Sequence, residues 1–400
     1  MPSVDRPQRL IVALAALVAF APLSIDTYLP SLPLIASDLA SRADEVQLTI
    51  SLFLAGLCVG MLFLGPLSDR YGRRRLLIGG IALYLLATLG CMLAHTTTSL
   101  ITWRFFQALG GAAASVLGRA IVRDLFPLKQ SARVLSLMHL VTMVATLVAP
   151  LLGSLLADFA GWRAVFAMLF VFAALCLLTV LFQVPESLPA ERRGKSLGQA
   201  FRAYARIAVQ PAALGYLLCM GLTFGGMFAF ITASPFVYIK HFGISPQAYA
   251  WLFALNIAGV ILITSFNARF VGWLGPSRML SFGTGLALFA ALLLLVVGMS
   301  GLVGLPALVF GVLLFVSVTG LVGANCVASL LALFPNQAGA AAGLAVAGQF
   351  AMGGACSALV GRLSDGTPWA MCVVMGVAGV GCFLVLQLAR RASLSVESAA

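Results

Sequence analysis

The sequence predicts an all-α membrane protein of 12 transmembrane helices in two pseudo-symmetric six-helix bundles. Three observations carry that expectation. The 400 residues are 62% hydrophobic and only 9% charged, with a mean hydropathy of +1.07. A water-soluble fold of this composition would lack the polar groups to cover its surface. Bilayer hydrocarbon accepts such side chains and requires only that the backbone bond to itself. Second, long apolar runs fill the chain, at 9–36, 46–66, 76–95, 99–120, 134–157, 163–184, 212–236, 247–270, 279–300, 305–331, 337–361 and 367–389. A spanning helix needs roughly 20 residues, so each run suffices. Third, charged residues collect in the short segments between the runs.

The net charge of +12 is explained by where the cations lie. They cluster at Arg70 with Arg73, Arg74 and Arg75, at Arg192, Arg193 and Lys195, and at Arg390 with Arg391. With a cytoplasmic amino terminus, Arg42, Arg163, Lys240 and Arg362 fall outside, Arg104 lies within a span, and all other Lys and Arg of the 24 face the cytoplasm. That is the positive-inside distribution, which places both termini in the cytoplasm and makes nucleic-acid binding a poor reading of the charge. The first run begins like a signal peptide, with Ala19-Phe20-Ala21 resembling a cleavage site. Pro22 and the apolar residues through Ile35 argue for a retained span instead. The eight cysteines all lie in apolar runs without Cys-x-x-Cys or histidine spacing, so neither a metal site nor a disulfide framework is expected.

The longest connection carries Glu186, Glu191, Arg192, Arg193, Lys195, Arg202 and Arg206. It divides the chain into an amino-terminal bundle over 1–184, a cytoplasmic central loop over 185–211 and a carboxy-terminal bundle over 212–400. Basic and aromatic residues at helical spacing over 199–207 predict a short helix on the membrane surface. The halves show weak similarity at an offset near 200 residues, with Arg269 to Arg278 reading as a decayed copy of Gly65 to Arg75. Two parallel six-helix repeats are one established transporter plan.

Ionisable groups inside a span are costly and point to function. Of the twelve acidic residues, Asp26 alone lies deep in a run, roughly 25 Å along the axis from Leu10 at about 1.5 Å per residue. Pro22, Pro30 and Pro33 should kink this helix and free backbone carbonyls near the carboxyl. Burial favours a neutral Asp26 and a nearby Arg104 favours a charged one, so Asp26 with Arg104 forms the candidate proton-coupling pair. The bland alternatives are a fixed ion pair at Asp26 and an Arg104 that snorkels to the outer interface. His139, near the start of the fifth run, reads as a packing histidine or as a proton relay.

Several motifs carry a resemblance to known proteins. Gly65 followed by Asp69-Arg70-Tyr71-Gly72-Arg73-Arg74-Arg75 resembles the signature loop of the major facilitator superfamily. The resemblance implies the major facilitator fold and a conformational latch of Gly65, Asp69, Arg70, Gly72 and Arg73, with Arg73 paired to Asp124. Gly65 would permit close helix approach, Gly72 would allow the turn, and Asp69 would accept from a helix amino terminus or pair with a guanidinium. Arg104-x-x-Gln107-x-x-Gly110-Gly111 is similar to the family's fourth-helix motif. Ala149-Pro150-Leu151-Leu152-Gly153 partly matches an antiporter motif, where a bend and close packing are the physical content.

Finer matches narrow the family. Ser24 to Pro33, Gly118 to Asp124, Ser234 to Tyr238 and Asp365 to Met371 resemble the Bcr/CflA drug-resistance transporters and together cover nearly the whole chain. The resemblance implies a monomeric drug:proton antiporter of the bacterial inner membrane that exports compounds such as bicyclomycin or chloramphenicol-type antibiotics. It needs no cofactor, since the proton gradient drives it. The substrate site is expected near mid-membrane, lined by Tyr28, Phe224, Met227, Phe228, Phe230 and Phe236, with Asn256, Asn325, Gln349 and Phe350. The amides are the stronger candidates, because an amide facing lipid costs energy. Export of an endogenous metabolite is the second reading, and a transport-dead receptor or scaffold the third. Costly intramembrane charges argue against a scaffold, and no nucleophile–base pair supports an enzyme.

Overall fold

A computed structural model describes residues 7–189, 191, 193, 194, 196–300 and 304–397. Arg192 and Lys195 of the central basic cluster lie outside the described residues, as do the side chains of Arg390 and Arg391. Among the described residues every regular element is helical. Among the same residues eleven helices are long and apolar enough to cross a bilayer, or twelve when a bent pair near the amino terminus is taken as one span. The chain is therefore a multi-pass membrane protein. It divides into two compact units, Met1–Ser41 with Leu52–Gln199, and Arg42–Ser51 with Ala200–Ala400.

The bent span consists of α1 (Pro7–Leu17), α2 (Phe20–Asp26), a 3-10 turn at Leu29–Ser31 and α3 (Leu32–Asp38). Its two parts, Gln8–Leu17 and Phe20–Asp38, meet at 40°. Proline positions account for each interruption. Pro22 cannot donate to Val18 four residues back, and Val18–Ala19 is where α1 ends. Pro30 stands in the same relation to Asp26, where α2 ends. The amide of Tyr28 turns to the carbonyl of Ile25 at 3.2 Å, so the Ser24 carbonyl loses its i+4 donor.

In the first unit follow α4 (Ala43–Tyr71), α5 (Arg73–Met92), α6 (Thr97–Leu125), α7 (Leu128–Ala160) and α8 (Arg163–Gln183). The segment expected as a loop from Gly65 to Arg75 is helical except at Gly72, because α4 continues through Pro66 for more than a turn. Gly72 has φ +97° and ψ 151°, a region essentially confined to glycine that costs a residue with Cβ about 1–3 kcal/mol. The role expected of Gly65 needs correction. A Cβ there would meet open space, whereas Gly56 and Gly60 lie against the backbone and alanine side chains of α6. Five residues past Gly60 the helix has turned well away from that face. The Pro150–Gly153 motif has the packing role expected of it, since a Cβ on Gly153 would collide with the carbonyl of Thr27.

A short helix, α9 (Leu197–Ala208), occupies the central connection and buries Tyr204 and Ile207. In the second unit α10 (Pro211–Ser234) continues into a π-helical turn over Pro235–His241. Then come α11 (Pro246–Leu274), α12 (Pro276–Ser300), α13 (Leu305–Ser317) with α14 (Thr319–Leu333), α15 (Ala338–Leu363) and α16 (Trp369–Glu397). α10 packs on α15 and α16, as α5 packs on α6 and α8 in the first unit. The turn before α16 explains the Asp365–Trp369 motif. Asp365 Oδ1 accepts from the Thr367 hydroxyl at 2.6 Å and amide at 2.9 Å, and the Thr367 oxygen accepts from the Trp369 amide at 3.2 Å. The Thr367 hydroxyl holds the Asp365 carboxyl below the usual carboxylate range.

Candidate functional site

The first unit holds a buried polar network around Arg104. This guanidinium is fully buried on α6, which rules out snorkelling. Nη1 donates to the freed Ser24 carbonyl at 3.0 Å and to Gln107 Oε1 at 2.7 Å. Gln107 Nε2 donates to Thr88 at 2.8 Å, and Thr88 donates to the Tyr84 carbonyl at 2.7 Å. The Tyr84 hydroxyl meets Ser24 Oγ at 2.6 Å, which closes the circuit through α2, α5 and α6. The guanidinium also lies over the rings of Phe53 at 4.1 Å and Tyr28 at 4.5 Å. Cation–π contacts in a desolvated site contribute about 1–2 kcal/mol each. They help to hold a charge that burial alone would expel.

Asp26 is 5% exposed, and its carboxyl takes a hydrogen bond from Thr146 on α7. No ion pair joins Asp26 to Arg104 among the described residues. Arg104, expected beside Asp26 as the cation that favours its charged form, does not pair with it. Arg104 spends its hydrogen bonds on a carbonyl that the proline kink releases, leaving the Asp26 carboxyl to a neutral partner. Thr146 gave no motif signal of its own. Tyr28, expected in the substrate site, is fully buried as the floor of the Arg104 stack.

The α4–α5 junction brings most of the latch residues together. Arg73 pairs with Asp69 at 2.8 Å and with Asp124 at 3.1 Å, and it donates to Ser68 Oγ as well. Arg70 lies over the ring of Tyr71 at 5.3 Å. The amino terminus of α5 is capped by Glu186 rather than Asp69, with Glu186 accepting from the amides of Arg73 at 2.9 Å and Arg74 at 3.3 Å. Arg74 in turn donates to the Leu181 carbonyl in the last turn of α8 at 2.7 Å and to that of Val184, just past its end, at 2.8 Å. Ser187 donates to Asp124 at 3.0 Å. Glu186 escaped the sequence argument because it is distant in the chain and sits in a charged connection where acids are common.

Because Arg73 and Asp124 are both largely covered, their pairing should be measurable. D124N and R73Q should each lower the melting temperature, by a loss on the order of 1–3 kcal/mol. The double variant should lose less than the sum, with a coupling of at least about 0.5 kcal/mol. Additive losses would show that the contact is energetically idle.

In the second unit the expected substrate residues fall into separate groups. Phe224 contacts Phe228 at 4.9 Å and Phe350 at 5.3 Å between ring centroids, joining α10 to α15. Met227 sulfur lies 3.7 Å from the Thr319 hydroxyl. Phe230 belongs to another cluster, stacked on Phe253 at 6.1 Å and near Tyr238, and Phe236 is buried in the π-helical turn. Asn325 donates to Asn267 Oδ1 at 2.7 Å and to its own helix at Leu321. Asn256 donates to Leu252 at 3.0 Å, and its Oδ1 is buried without a hydrogen-bond partner. Gln349 is half-buried on α15, facing Gly323 of α14. Asn267 was missed, although the argument applied to the other amides of the spans covers it equally.

A multi-pass helical bundle that shelters a carboxyl and a guanidinium in one unit has the make-up of a membrane transporter rather than an enzyme. Residues 13–357 match the Major Facilitator Superfamily, and the chain belongs to that family. It is 37% identical over 297 residues to the uncharacterized MFS-type transporter YdgK of Bacillus subtilis, covering 73% of this chain and 74% of that protein. It is 32% identical over 371 residues to a bicyclomycin resistance protein homolog of Haemophilus influenzae, covering 92% and 93%. The fold is that of a D-xylose-proton symporter, with a TM-score of 0.73 at 18% identity over 95% of this chain and 96% of that one.

Proposed function

We propose that the chain exports small drug-like molecules across the bacterial inner membrane in exchange for protons, with both termini in the cytoplasm. Asp26 carries the proton. The observation behind this reading is a buried carboxyl on a proline-broken helix, held by a hydroxyl and free of any ion pair to the neighbouring guanidinium network. Such a group can hold either a proton or a charge without dismantling a salt bridge. The likeness to a bicyclomycin resistance protein homolog supports a drug as cargo, and the excess of Lys and Arg in the connections assigned to the cytoplasm supports the orientation.

In the cycle, Asp26 takes a proton from outside, the transporter turns inward, and substrate displaces the proton to the cytoplasm. One charge crossing the membrane yields about 2.3 kcal/mol per 100 mV, enough for roughly a fiftyfold gradient of a neutral solute. The test is direct. Purified protein in weakly buffered detergent solution should acidify the medium when bicyclomycin is added, saturating with dose. Binding without proton release would sink the exchange mechanism, and absence of both would sink the choice of cargo.

A further inference from the structure

A second cationic site lies apart from Asp26 and Arg104. A cavity of about 190 Å³ opens in the first unit between Val18, at the break after α1, Arg119 of α6, and Leu135, Met138, His139 and Thr142 of α7. Arg119 is six residues before the end of α6, about 9 Å along the axis. Its guanidinium makes no hydrogen bond or ion pair to any described residue. The acids at the neighbouring helix ends are engaged elsewhere, Asp69 and Asp124 with Arg73, and Glu186 with the α5 amides and Arg193. His139 adds an imidazole to the same wall, and Thr142 spends its hydroxyl proton on the Met138 carbonyl at 3.0 Å. The remaining wall is apolar.

We propose that this cavity is an oxyanion-binding site that takes the carboxylate or phosphate group of an amphipathic molecule. A guanidinium binds two oxygens of such a group in its planar fork, and Arg119 and His139 are both exposed on the cavity wall, where a ligand can reach them. Val18, Leu135 and Met138 accept the carbon atoms next to the acid. The volume falls below the roughly 300–1,000 Å³ of pockets that enclose a drug-sized ligand, so the cavity holds a head group and not a whole molecule. An amphipathic solute and an anionic lipid share this chemistry. The site goes beyond the export reading and does not depend on proton coupling.

The experiment measures equilibrium binding of radiolabelled octanoate to full-length protein in phosphatidylcholine nanodiscs, with no gradient. Native protein should bind it saturably, R119Q at least tenfold more weakly and R119K between the two, because lysine keeps the charge but not the two-oxygen fork. Neutral octanamide should fail to compete. D26N protein should bind octanoate as native protein does, which separates this site from the proton site. In nanodiscs containing phosphatidylglycerol, weakened octanoate binding identifies a lipid head group as the occupant, and unchanged binding identifies a solute. Either result supports an oxyanion site. No saturable binding to native protein, or equal binding to R119Q, overturns the proposal. If R119Q does not fold, equal competition by octanamide on native protein overturns it.

Discussion

Asp26→Asn protein is expected to bind bicyclomycin and release no proton, and cells carrying it should lose concentrative export. The substitution is conservative in every respect but one. Asn fills the same volume, and its amide oxygen can still accept from Thr146 on α7. The proline breaks on either side of position 26 are untouched, so the helix ends where it did. Only the exchange of charge is lost. Without it the membrane potential no longer acts on the transported unit, and the roughly fiftyfold gradient available per 100 mV collapses towards unity. Downhill movement of drug should persist. The measurement is drug accumulated by inverted vesicles, with and without an imposed proton gradient. A D26N protein that still concentrates drug in response to that gradient would remove Asp26 from the mechanism.

Arg104→Lys is the second large effect, and it separates charge from shape. Lysine keeps the cation but is a point charge with a flexible stem, whereas the guanidinium is a rigid plate lying over two rings with a fixed fork of donors. The variant should lose most of the contacts with Phe53 and Tyr28 and one of the two hydrogen bonds from Nη1. Two ring contacts of about 1–2 kcal/mol each and a charged hydrogen bond of about 1.5–3 kcal/mol together predict a loss of about 3.5–7 kcal/mol. A fall in melting temperature and an export rate reduced more than tenfold should follow. Arg104→Gln should be worse still, since it removes the charge as well. R104K protein with native stability and native export would show that neither the stack nor the fork matters.

Much of the architecture follows from composition, because bilayer hydrocarbon leaves a backbone few choices. The prolines at 22, 30 and 33 mark where the first span breaks, and the interruptions fall where ring geometry dictates, four residues before Pro22 and Pro30. Partner choice was harder to see. An acid and an arginine alone in their spans suggest each other, yet Arg104 binds a main-chain carbonyl, and no side-chain pattern records which carbonyls a kink releases. Gly65 was misread for a similar reason, since a glycine in a motif does not say which way its helix face points. Glu186 required knowing that α8 ends beside the start of α5, a fact of packing. Asn267 was within reach, because it is an amide in a span like those that were chosen.

The broken first span also bears on how the protein enters the membrane. α1 has 11 residues, roughly 16 Å of helix, about half the hydrocarbon thickness. The stretch after it presents the Ser24 carbonyl without its helical donor until Arg104 of α6 arrives, and Asp26 without a hydroxyl until Thr146 of α7 arrives. During synthesis the first span is therefore a provisional guest in the bilayer, and its final seating waits on two helices made roughly a hundred residues later. Biogenesis, rather than the transport cycle alone, gives the cell a stake in keeping Ser24, Asp26, Arg104 and Thr146 together.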